Sequence, residues 1–79
     1  MTDETNLRHL AEETVAGLWC VVYAETEGAT VLAYDSPGAT RCPWVARVVR
    51  SPGGVRTVSE IGATPVRGAI LRWAGKLSW

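Results

Sequence analysis

The side chains able to do chemistry in this 79-residue sequence are one histidine, two cysteines, eight carboxylates and eight bases. His9 precedes Glu12 and Glu13, and a His-x-x-Glu pair on a helix offers two metal ligands one turn apart. No third or fourth ligand follows at a recognisable spacing, so His9 reads as a surface residue and no metal is expected. Cys20 and Cys42 lie 22 positions apart, which matches no zinc spacing, and neither has a general base beside it in sequence. Reduced, buried thiols are the expectation; a disulfide from the first strand to the later loop is the alternative. The glycines occur at turns, with no Gly-x-Gly-x-x-Gly and no Gly-Lys-Ser or Gly-Lys-Thr phosphate cradle. An enzyme is not expected, and neither is a cofactor.

Charge is the stronger lead. Residues 1 to 40 hold seven acids and one base, a net −6, whereas residues 41 to 79 hold seven bases and one acid, a net +6. Two outcomes are open. The halves pack together and neutralise each other in surface pairs, or folding leaves an acidic side and a basic side that steer the molecule onto a charged partner. On the second reading Glu12, Glu13, Glu25, Glu27 and Asp35 form the acidic face, which is the first choice for partner binding. Arg47, Arg50, Arg56, Arg67, Arg72 and Lys76 form the basic alternative, with arginine's planar fork suited to phosphate or carboxylate.

The elements that position these groups follow from periodicity. Leu7, Leu10, Ala11, Thr14, Val15 and Leu18 fit one face of a helix over residues 2 to 16, with Thr2 as N-cap, Asp3 and Glu4 in the first turn and Gly17 as terminator. Arg8 is then expected to pair with Glu4 or Glu12. Strand chemistry follows at Leu18 to Glu25, Thr30 to Asp35, Trp44 to Arg50 and Val55 to Ile61, punctuated by Glu27-Gly28, Ser36-Pro37-Gly38 and Ser51-Pro52-Gly53-Gly54. Thr64-Pro65 opens a last helix whose apolar face is Val66, Ala69, Ile70, Trp73, Ala74 and Leu77. The predicted fold is α+β, a single two-layer domain over residues 1 to 79 with a four-stranded antiparallel sheet and N- and C-terminal helices, α-β-β-β-β-α.

Such a sheet carries more apolar surface than one layer of helices covers. Leu18, Cys20, Val22 and Ala24 line one face of the first strand, and Trp19, Val21 and Tyr23 line the other; Leu32 and Tyr34 against Val31 and Ala33 repeat the pattern. The second face is covered by a helix, by the loop at 36 to 43 with Trp44, or by another chain in a homodimer. Trp19, Tyr23 and Trp79 are the candidate interface anchors, since tryptophan and tyrosine concentrate where binding energy does. Trp79 is either tucked back over the sheet or presented to a partner.

No apolar run approaches the roughly 20 residues of a membrane helix, and the N-terminal stretch has no basic signal-peptide region, so a cytoplasmic protein is expected. The layout resembles double-stranded-RNA-binding domains in topology, yet their basic run at the start of the last helix is missing from Pro65-Val66-Arg67-Gly68-Ala69. In size, α+β layout, arginine excess over lysine and charge segregation the chain is similar in format to anti-CRISPR proteins, small phage-encoded inhibitors of bacterial CRISPR complexes. That resemblance implies a non-enzymatic inhibitor that binds a Cas protein or surveillance complex in the host cytoplasm. The alternatives are a small nucleic-acid-binding or regulatory module using the arginine-rich half, and a phage structural or assembly protein.

Overall fold

The computed structural model of the chain describes residues 8–79, in the order β1 (Arg8–Val15), β2 (Leu18–Glu25), β3 (Gly28–Tyr34), β4 (Trp44–Ser51), β5 (Gly54–Gly62) and α1 (Arg67–Gly75). All five strands form one antiparallel sheet, each paired with its neighbours in sequence. The expected four-stranded sheet between two helices is therefore overturned: the described part of the first segment is a strand, and the described residues hold one helix, at the C-terminal end. Thr2, Asp3 and Glu4, assigned to the first turn of a helix, lie outside the described residues.

Two local features explain why a helical spacing folds as a strand. Ala16 and Gly17 both take positive φ, 52° and 92°, and connect Val15 to its cross-strand partner Leu18. That is the two-residue turn whose twist suits a hairpin, so Gly17 turns the chain back rather than ending a helix. A register shift between His9 and Ala11 then lets Leu10 join Val15 against the core. A bulge of this kind breaks the strict alternation by which a strand is recognised in sequence.

The core lies on one face of the sheet. Cys20 and Val22 of β2, Ala29, Val31 and Ala33 of β3, and Trp44, Ala46 and Val48 of β4 stand in register on that face. Ile70 and Ala74 of α1 seal it, both with no accessible surface. Burying Ile70 alone contributes about 2–3 kcal/mol. Trp44 is fully buried under this layer, so it does not cover the second face. Thr64 and Pro65 precede α1 in a turn in which Thr64 Oγ1 accepts from the Val66 N–H at 3.3 Å, and the helix proper starts at Arg67.

The opposite face has no helix on it among the described residues. Cross-strand register puts Trp19 beside Tyr34, and Val21, Leu32, Val45 and Ile61 in one row across β2 to β5. Val21 is enclosed by its neighbours, Trp19, Leu32, Tyr34 and Val45 are half-buried, and Ile61 is 76% exposed. Among the described residues, then, helices on opposite faces do not supply the cover. Among the described residues no helix is long and apolar enough to cross a membrane.

Candidate interaction surfaces

Antiparallel pairing disperses the five carboxylates expected on one side. Glu12 and Glu13 are successive residues of β1 and point to opposite faces, Glu12 opposite Val21 and Glu13 opposite the buried Cys20. Glu25, at the end of β2, accepts from Arg47 Nε at 3.0 Å and from the Thr30 hydroxyl. Asp35 accepts from Arg41 Nη1 at 2.9 Å. Glu27 sits exposed in the β2–β3 turn. Glu25 and Asp35 of the acidic half are therefore neutralised by guanidinium groups of the basic half, Glu25 because β3 and β4 fold the two halves against each other and Asp35 across the β3–β4 connection, whereas Glu12, Glu13 and Glu27 have no arginine partner among the described residues.

The bases divide into anchored and free groups. Arg50 reaches the end of α1, where Nη1 donates to Leu77 O at 2.8 Å and Nη2 to Gly75 O at 2.9 Å. A cation at the negative end of the helix dipole satisfies the last helical carbonyl, Gly75 O, and that of Leu77 just beyond the helix. Arg67 donates from Nε to Glu60 Oε2 at 3.0 Å and from Nη2 to Thr57 Oγ1 at 3.2 Å. Arg47 is held by Glu25. Arg56 stands on the open sheet face opposite Val49. Arg72 on α1 and Lys76, the residue that caps its C-terminal end, are exposed and have no carboxylate within ion-pair distance among the described residues. They flank a shallow groove of about 390 Å³ between the turn at Gly53 and Gly54 and the helix at Gly68, Leu71 and Gly75.

The aromatic anchors have different fates. Trp79 packs against the core cluster, donates from Nε1 to Ala74 O at 3.1 Å and lies 5.7 Å beneath the Arg50 guanidinium. Trp19 and Tyr23 lie on the open face, where Tyr23 meets the His9 ring edge-on at 5.6 Å. His9 Nε2 stands 3.5 Å from Glu12 Oε1. In a regular strand i and i+3 face opposite ways; the bulge puts both on the same side. Arg8 is in β1 rather than on a helix, so a pairing four residues along a helix face does not apply.

Both cysteines are free thiols. Cys20 is buried among apolar side chains, which pushes its thiol up to about 11. Such a thiol is a packing residue, not a nucleophile. Among the described residues no group of three or more His, Cys, Asp or Glu side chains is placed to hold a metal ion.

Two functional groups escaped the sequence reading. Glu60, the lone acid of the second half, accepts from Trp44 Nε1 at 2.7 Å as well as from Arg67. Arg50 is a helix-terminating residue rather than a free cation. The isolation of Glu60 among seven bases was the available signal for the first; nothing in the sequence marks the second. No family model matches the sequence, and no curated protein or solved structure matches it.

Proposed function

We propose that this chain is a non-enzymatic inhibitor that works by contact on a nucleic-acid-handling complex of a bacterial host, as the anti-CRISPR proteins it resembles in format do. Its contact surface on this reading is the basic edge of α1. The observation that carries the choice is the pairing pattern: Glu25, Asp35 and Glu60 are each tied to an arginine. Arg72 and Lys76 are left exposed on either side of a groove whose glycine-lined floor lets another backbone approach. Two cations in the last turn and at the C-cap of α1 give electrostatic steering toward an acidic protein surface, with register set by the groove.

The test is plaque formation by a phage on a host whose CRISPR-Cas system targets it. Expression of the wild-type chain is expected to restore plaques, and Arg72→Glu with Lys76→Glu to abolish the restoration while the chain stays folded. No restoration by the wild type sinks the reading. A gel shift on free nucleic acid with an affinity that falls steeply with salt would favour the regulatory alternative instead.

A further inference from the structure

We infer that the groove beside α1 takes an extended segment of a partner protein that carries carboxylates at alternate residues. The inference rests on the basic edge of α1 being the contact surface, and names what lies against it. Arg72 Nη1 stands 3.6 Å from the position a Cβ on Gly68 would take, so the guanidinium folds back along the helix wall of the groove. Lys76 follows four residues on, and its backbone keeps helical angles. Neither cation is engaged at the end of the helix, where Arg50 already donates to Gly75 O and Leu77 O.

Spacing selects the occupant. Four residues of helix advance by about 6 Å, and alternate side chains on one side of an extended strand stand about 6.6–6.8 Å apart. Carboxylates at positions i and i+2 of such a segment therefore meet Arg72 and Lys76 together, each in a charge-assisted bond. Single-stranded nucleic acid also carries spaced anions, but its bases need a ring to stack on, and the lining residues, Val55 and Leu71 with the glycines and the two cations, include no aromatic.

The glycines fit the approach of a main chain. Two have reasons within the protein: Gly54 holds φ at 114°, and a Cβ on Gly75 would sit 3.2 Å from Val55 Cγ2. Gly53 and Gly68, on opposite walls of the groove, have neither reason. Both keep φ outside the left-handed region; a Cβ on Gly53 would meet nothing within 4 Å, and one on Gly68 only the flexible end of Arg72. A glycine in a helix costs up to about 1 kcal/mol against alanine, and no close contact within the protein offsets that at Gly68. A partner main chain lying between the two bare walls uses the space they leave.

Titration of the isotope-labelled chain with a blocked peptide of alternating valine and aspartate, followed through amide chemical shifts, tests the inference. Binding is expected to shift the amides of Gly53, Gly54, Gly68 and Gly75, and Arg72→Glu to weaken it by about tenfold or more. An isomer of the peptide with its two aspartates adjacent is expected to bind more weakly. Gly53→Leu and Gly68→Leu fill the groove at positions with no steric need for glycine, so both are expected to melt at or above the wild-type temperature and to lose the peptide. Equal binding of the two isomers, or undiminished binding by the folded leucine variants, would overturn the inference. So would a groove that takes oligothymidylate instead of the peptide, or neither. The plaque test fails separately: a wild type that restores plaques without binding the peptide sinks this inference alone, and one that binds the peptide without restoring plaques sinks the proposed function alone.

Discussion

Glu60 Oε1 accepts the indole N–H of the fully buried Trp44 at 2.7 Å, and Glu60 Oε2 accepts Arg67 Nε at 3.0 Å. One carboxylate thereby joins β4, β5 and the first residue of α1. Glu60→Ala leaves the buried Trp44 donor without its protein acceptor and is expected to cost about 1–3 kcal/mol. Glu60→Gln keeps an acceptor for the indole and weakens only the contact to Arg67, so it is expected to cost less. Urea melts of the two variants, with Arg67→Ala for comparison, measure the difference.

Ala16 holds φ at 52° in the β1–β2 turn, a conformation L-residues other than Asn, Asp and Gly rarely adopt. Ala16→Asn gives the Asn-Gly pair that two-residue hairpin turns prefer and is expected to stabilise the fold by about 0.5–1 kcal/mol. Thermal unfolding checks it. A loss of stability would show that the turn is held in its conformation by something other than local geometry.

The legible parts of the fold were those in which local chemistry and tertiary role agree. Leu18–Glu25 and Trp44–Ser51 are runs of β-branched and aromatic residues between turn residues, and both are central strands. The first segment misled because an edge strand tolerates the charged Glu12-Glu13 pair, and because the bulge at Leu10 gives its apolar residues a helix-like spacing. Charge along the chain left two outcomes open, mutual neutralisation or separate faces, because a count by position does not say which strands pair. Antiparallel pairing brings Glu25 beside Arg47 from 22 residues away, which is the first outcome at that site. The excess of apolar surface on the sheet was readable because it depends only on alternation within single strands.

Cys20 makes the fold sensitive to alkaline pH. Its thiol is held up to about 11 in the folded chain by burial, against 9.0 for a free thiol. The folded state therefore keeps its proton where the unfolded state loses one. This contribution is fully present below pH 9 and falls away between pH 9 and 11, by up to about 1.4 kcal/mol per pH unit. Cys20→Ala is expected to be less stable than wild type at pH 8, through the small cavity it leaves, and to lose less stability between pH 8 and 10.5. Equal slopes for the two proteins in urea melts would count against burial as the cause.

Arg50 closes the end of α1 from a different element, and its two bonds to Gly75 O and Leu77 O need the fork of a guanidinium. The same group stacks on Trp79, whose indole N–H returns to Ala74 O, so the last turn, the terminal tryptophan and β4 form one unit. Arg50→Lys keeps the charge near the helix dipole but replaces the fork with a single ammonium, and is expected to cost about 1 kcal/mol. Arg50→Ala also removes the surface under Trp79 and is expected to cost about 2 kcal/mol. Hydrogen exchange separates this from a general loss of stability: the amides of Lys76 and Leu77, which donate to Trp73 O and Ala74 O, are expected to exchange faster in both variants. Those of β2 and β3 are expected to follow only the global change. Uniform acceleration across the sheet would mean that Arg50 supports the whole fold rather than the end of the helix.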